Sequence, residues 1–245
     1  MTSVRSWCAG GIVLVSFIAC AVEPPPGLAK KAAERETASE AFRANFAFQQ
    51  KVLVEEMSAK GVVAGQYRET REVIFSPAGE RTERAVGKPY EHFDRLRMTP
   101  EDFRDLREIQ PLMLTLERLK FYTTRYRGEE TINGTPCWVL DVQPRQILDG
   151  QRLFEGLIWI AQEDFSVVQS EGRAVPQIMS TKEENLFVRF RTIRKRVKEG
   201  YWFPVLTVAD DTLPFRTGPL RLRMRVEYIG YQKFGADTVI KFEEN

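Results

Sequence analysis

The spacing of the apolar positions changes near the start of the chain, and that change sets the architecture. Leu28 to Asn45 carries Leu28, Ala32, Ala33, Ala41 and Phe42, with Phe46 just beyond, as a weak stripe among Lys, Glu and Arg. This predicts an N-terminal helix that packs on a sheet. From Phe48 the period is two: Phe48–Met57, Ala64–Ser76 and Arg81–Val86 read as strands, joined around Lys60-Gly61 and through Ser76-Pro77-Ala78-Gly79. Met98-Thr99-Pro100-Glu101-Asp102-Phe103 then signals a helix, with Thr99 as N-cap, Pro100 at the first helical position and Met98 able to staple onto Phe103. Pro111 ends it by Gln110, and a short turn comes next over Thr115–Leu119.

Strands resume with Phe121–Thr131 and Cys137–Gln143 about Asn133-Gly134, a favoured tight-turn pair. The clearest strand–turn–strand signal is Phe154–Gly172, in which Leu153 to Gln162 forms one strand, Glu163-Asp164 breaks it, and Phe165 to Val168 resumes. Leu153, Leu157 and Trp159 point one way, and Phe154, Ile158 and Ile160 the other. A strand apolar on both faces lies between two protein layers, or between one layer and an apolar cavity. Leu186–Lys198, Tyr201–Ala209, Pro219–Phe234 and a closing Thr238–Phe242 complete about ten strands with two or three helices. Nearly all connections suit antiparallel neighbours, so the expected class is α+β, mainly antiparallel β.

Composition adds limits. The 245 residues show no break in composition, so one domain is expected, and Lys+Arg 36 against Asp+Glu 34 gives a net charge of +2, which makes no electrostatic case for a nucleic acid. Arg5 followed by the apolar run Trp7 to Ala19 reads as a signal peptide over residues 1–19, and hence as export. Ala19-Cys20-Ala21 fits ordinary signal peptidase, whereas Phe17-Ile18-Ala19-Cys20 resembles a bacterial lipobox with Phe17 where Leu is usual, so acylation or removal of Cys20 both stand. Residues 20–27, with Glu23-Pro24-Pro25-Pro26-Gly27, would make a semi-extended tether ahead of a domain over 28–245.

Candidate chemistry is sparse. Cys137 is expected to be a small buried hydrophobe, and no disulfide is available once Cys8 and Cys20 are spent. His92 stands alone, without the motifs of a triad, a metallohydrolase or a phosphate loop. Asp210-Asp211, read as a loop, is the one carboxylate pair worth testing for acid–base work. Leu220-Arg221-Leu222-Arg223-Met224-Arg225-Val226 alternates, and Arg189, Arg191 and Lys195 share a face opposite Arg194 and Arg196. These arginines read as a solvated outer face rather than a single-strand nucleic-acid platform or a contact for anionic lipid. No enzyme, metal or cofactor is indicated.

Glu72-Val73-Ile74-Phe75-Ser76-Pro77-Ala78-Gly79, Tyr126-Arg127-Gly128-Glu129-Glu130, Asn133 to Leu140, Phe154 to Ile160, Glu184-Asn185-Leu186-Phe187 and Tyr201-Trp202-Phe203-Pro204 together resemble the outer-membrane lipoprotein-sorting (LolA-like) family. Relatives commonly follow the tryptophan with Ile/Val-Asp, where this chain has Ile160-Ala161. The resemblance implies an incomplete, curved half-barrel of about ten strands whose concave side is closed by helices around a cavity for acyl chains. The expected function is a non-enzymatic envelope protein that binds lipid or the acyl chains of a lipoprotein, in the periplasm or at the outer membrane, with a lipid anchor as an option at Cys20. The alternative is a protein-interaction or sensor module on the same fold. Large apolar residues on the central strands, Trp138, Leu140, Leu157, Trp159 and Trp202, are the expected cavity lining.

Overall fold

A computed structural model describes residues 23–75, 81–112, 114–177, 188–197 and 199–233. The signal peptide, Cys20, the turn at Ser76-Pro77-Ala78-Gly79, the start of the strand expected from Leu186 and the closing strand Thr238–Phe242 lie outside them.

A helix α1 (Leu28–Arg43) precedes strands β1 (Phe46–Met57), β2 (Val63–Phe75), β3 (Arg81–Ala85) and β4 (Tyr90–His92). Then come α2 (Pro100–Arg104), which runs directly into a π-helical turn (Asp105–Ile109), and α3 (Leu116–Leu119). The remainder is β5 (Tyr122–Ile132), β6 (Thr135–Pro144), β7 (Leu153–Ala161), β8 (Val167–Val175), β9 (Phe190–Arg196), β10 (Trp202–Phe215) and β11 (Gly218–Lys233). All 11 strands form one sheet in the order β3-β2-β1-β11-β10-β9-β8-β7-β6-β5, with β4 beside β2, and every pairing is antiparallel. Among the described residues the two ends of that path do not pair, so the sheet is an open half-barrel rather than a closed one.

Local chemistry explains the elements. Thr99 caps α2 through a reciprocal capping box: its hydroxyl accepts from the Asp102 amide while the Asp102 carboxylate accepts from the Thr99 amide at 2.8 Å. Thr115 caps α3, its hydroxyl accepting from the Arg118 amide at 3.4 Å. Asn133 (φ 48) and Gly134 (φ 82) make the tight turn between β5 and β6. Several details differ from the sequence reading. Phe165 has φ 61 and belongs to the turn, so β8 starts at Val167. Asp210-Asp211 is not a loop but lies inside β10, whose pairing with β11 continues to Phe215↔Gly218. The buried side of α1 is Leu28, Ala32, Ala33, Glu36, Ser39 and Arg43, while Ala41 is exposed. That helix tolerates charge on its covered side because Glu36 meets Arg194 of β9, whose Nη1 donates to both carboxylate oxygens at 2.8 and 2.9 Å.

The main core lies between the helices and one face of the sheet. Leu28, Ala32, Leu106, Ile109, Leu112 and Leu114 pack there against Phe46, Phe48, Phe154, Ile158, Phe203, Leu222 and Tyr231. A second, smaller cluster occupies the opposite face: Cys137, Val139, Trp159, Ala161, Val168 and Trp202, with Ile132 and Leu157 against it. The two apolar faces read for β7 are thus both real, with Phe154, Ile158 and Ile160 in the first cluster and Leu157 and Trp159 in the second. Leu153 departs from that reading, since it joins the helix-side core at the end of the strand.

Candidate functional site

The five residues expected to share a cavity do not line one surface, because they sit at opposite phases of the strand period. Trp138 and Leu140, two apart on β6, face the helices; Trp138 stacks on Phe165 with ring centroids 5.3 Å apart, and Leu140 is in the core. Leu157, Trp159 and Trp202 lie on the other face. There Trp159 Nε1 donates to Glu130 at 2.9 Å.

A different set of residues makes an amphipathic opening where the helical layer meets the sheet edge at β5. The π-helical turn supplies Glu108 and Ile109, the segment after it Leu112, α3 Arg118, the entry to β5 Phe121 and Tyr122, and the approach to β7 and its first residue Gly150, Gln151, Arg152 and Leu153. With Arg104 of α2 they surround a cavity of about 300 Å³. Ile109, Leu112 and Leu153 are buried and form its floor. Arg104 and Arg118 are half-buried at its edge, and Arg152 lines it with a buried side chain. Two of these arginines are already engaged: Arg152 is clamped by Asp105, with Nε–Oδ1 at 3.0 Å, and Arg104 donates to the Gly150 carbonyl at 3.3 Å. Burial pushes the Asp105 carboxyl above its ordinary range, an effect that Arg152 opposes. The Phe154 amide donates to the Tyr122 hydroxyl at 3.0 Å, which anchors that buried ring. Beside the opening, Leu116 of α3 and Ile147 and Leu148 of the β6–β7 loop are exposed by 43%, 40% and 52%.

The remaining candidate chemistry has structural explanations. His92 is exposed at the end of β4. Asp210 is paired in two contacts with Arg221 on β11, at 2.8 and 2.7 Å, and that guanidinium holds its carboxyl below the usual range. Asp211 accepts from the Arg189 and Thr212 amides. Arg221, Arg223 and Arg225 are each ion-paired on the outer face, to Asp210, Glu55 and Glu227, as the solvated-face reading expects. Arg194 is the exception, fully buried with Glu36. Among the described residues no group of His, Cys, Asp or Glu is arranged to hold a metal ion, and no helix is long and apolar enough to cross a membrane.

No family model matches the chain, and no curated protein does. Among solved structures it is similar to LolA-superfamily proteins. A LolA superfamily protein from Nitrosomonas europaea is 14% identical over 86% of this chain and 93% of its own, with a TM-score of 0.35. An outer membrane lipoprotein-sorting protein domain from Vibrio parahaemolyticus is 11% identical over 86% and 95%, with a TM-score of 0.37. A DUF1329 family protein from Desulfovibrio piger is 10% identical over 84% and 95%, with a TM-score of 0.35. The first two carry the family name that the sequence resemblance suggested.

The opening at β5 has only a faint sequence signal. Leu112, Phe121 and Leu153 are ordinary apolar residues near element ends, and nothing local says that three such ends meet.

Proposed function

We propose that this chain is a non-enzymatic binding protein of the cell envelope that takes up an acyl chain of a lipid or lipoprotein at the opening between the helices and β5. The observation that supports it is the amphipathic character of that opening: buried apolar Ile109, Leu112 and Leu153 beside the half-buried arginines Arg104 and Arg118, flanked by exposed Leu116, Ile147 and Leu148. An acyl chain gains about 0.8 kcal/mol per buried methylene, so even about eight carbons seated there would be held reversibly by roughly 6 kcal/mol. The arginines suit an anionic or ester head beside it. In this reading residues 1–19 are removed, Cys20 is acylated or removed with them, 20–27 forms the tether, and 28–245 acts as one domain in the periplasm or at the outer membrane.

A second reading has its own support. Behind the opening the helix-side core is closely filled by Phe46, Phe154, Phe203, Leu114, Ile158 and Leu222, all essentially inaccessible, which suits a module that binds protein partners by its surface or edges. Native mass spectrometry separates the two. Protein purified without detergent should carry fatty-acyl species, or take up added laurate one to one. Phe121→Glu, at a half-buried position of the opening, should lose that uptake while melting within a few degrees of the parent. A bare mass that refuses laurate would leave the protein-partner reading.

A further inference from the structure

The arginines of β11 are paired, but the outer face of the sheet is not balanced throughout. Where β11, β1 and β2 lie side by side, a recess of about 540 Å³ opens between them and the β3–β4 connection. Lys51 and Leu53 of β1 and Arg68 of β2 line it, with Val86 and Lys88 of the connection and Tyr90 of β4. Register explains the grouping. Leu53 stands between Arg225 and Arg68, Arg68 is opposite Tyr90, and Lys51 stands between Glu227 and Thr70. The connection leaves β2 where the Val86 amide donates to the Thr70 carbonyl at 2.8 Å, turns at Gly87 with φ 83, and rejoins β2 opposite Arg68, so it walls the recess on that side.

The acids around the recess are engaged or turned away. Glu227 pairs with Arg225, Glu55 with Arg223, Glu72 with Arg84, and Glu69 with Arg71 and the Tyr67 hydroxyl. Glu91 takes the opposite phase of β4 to Tyr90. Lys51, Arg68 and Lys88 are exposed and have no carboxylate partner among the described residues. Arg68 is nonetheless held in place, its guanidinium 4.9 Å from the centre of the Tyr90 ring. Val86 and Tyr90 are exposed by 46% and 44%, so two apolar side chains gather beside three open cations.

Lys51 and Arg68 are diagonal neighbours on β1 and β2, which sets them about 7–8 Å apart. Alternate residues of an extended peptide are separated by about 6.6 Å, so its alternate carboxylates match the two cations. An apolar residue next along the same phase would rest on Val86 and Tyr90.

We infer that this recess is a docking site for an acidic, extended segment of a protein partner, whose alternate carboxylates pair with Lys51 and Arg68 while Lys88 meets the chain from the wall. The cations line a recess instead of crowning a flat face, which favours a single chain over a bilayer. The site lies on the side of the sheet away from the helices and does not depend on acyl uptake at the β5 opening.

Fluorescence anisotropy of the parent with a labelled peptide containing Glu-Thr-Glu-Thr-Val should show saturable binding that weakens as salt rises to roughly 0.15 M. The same residues rearranged to Glu-Glu-Thr-Thr-Val should bind several-fold more weakly. Lys51→Glu with Lys88→Glu should weaken binding of the first peptide more than about tenfold, melt within a few degrees of the parent and treat laurate as the parent does. Should Lys51→Glu unsettle the sheet, Lys88→Glu alone should still weaken binding several-fold. Tyr90→Ala, which frees Arg68, should weaken it about threefold. Lys60→Glu with Lys195→Glu makes the same change of net charge at exposed lysines outside the recess and should bind within about twofold of the parent. No binding by the parent at low salt, equal binding of the two peptides, or equal losses in the two double variants would overturn the proposal. Binding to vesicles of phosphatidylglycerol and phosphatidylcholine in place of the peptide, lost with Lys51→Glu and Lys88→Glu, would overturn it in favour of a membrane contact.

Discussion

Arg194 sits on the helix-facing side of β9 with its side chain fully buried, and its Nη1 reaches Glu36, 158 residues away in sequence. It also donates to the Leu112 and Val167 carbonyls, so one guanidinium ties α1, the segment after the π-helical turn and β8 to the sheet. Strand alternation did place Arg194 opposite Arg191 and Lys195. Nothing local could show that an acid on a distant helix made that side habitable for a charge. Burial pushes the Glu36 carboxyl up, and Arg194 pulls it back. Removing the acid alone strands the cation, so Glu36→Gln should cost about 3–5 kcal/mol in chemical denaturation, while Glu36→Gln with Arg194→Met should recover much of it. A single mutant as stable as the parent would show that the pair is not what seats α1. Cys137 behaves as its composition context suggested: it is fully buried, and burial pushes its thiol up to about 11. At pH 8 only about a thousandth of it is thiolate, so a maleimide should label it slowly in the native protein and readily in denaturant.

Between residue and whole molecule, the β7–β8 hairpin shows how a strand can serve two cores. Phe154 lies across the facing pair Gly156↔Gly172, and only the missing side chains admit its ring. A Cβ on Gly172 would lie 2.2 Å from the Glu155 carbonyl oxygen and 2.6 Å from Phe154 Cε2. Gly172→Ala should therefore destabilise by about 1–3 kcal/mol or more, read as a lower urea midpoint, and Gly156→Ala, whose Cβ would meet the Glu171 carbonyl oxygen at 2.1 Å, at least as much. The hairpin itself was legible from composition, since Leu, Ile, Trp and Phe on both phases admit little else. The use of each phase was not. Leu157, Trp159 and Trp202 looked like partners of Trp138 and Leu140 by size alone, and the period of two separates them. Likewise, Asp210-Asp211 resembled a turn, but pairing with β11 overrides the low strand propensity of aspartate.

At the scale of the molecule, the antiparallel class and most element positions came from periodicity. The order of strands did not, because β1 pairs with β11 across nearly the whole described chain and no local pattern encodes that closure. The resulting order places β1, β11 and β10 in the interior of the sheet, flanked on one side by β2 to β4 and on the other by the run from β9 to β5. Hydrogen exchange should reflect it: slow in β10 and β11, and fast in β3, β4 and the solvent-side amides of β5, where one edge lacks a partner among the described residues. The proposed opening lies against that β5 edge, so it draws on the least protected part of the sheet. Seating an acyl chain there should raise protection over residues 116–122 and 150–153, which carry α3, Phe121, Tyr122 and Leu153, and leave β10 and β11 unchanged. Exchange with and without laurate checks this directly. Protection that appears only on the opposite face, around Trp159 and Trp202, would move the acyl site to the second apolar cluster. Uniform protection would mean that laurate stabilises the fold without occupying the opening.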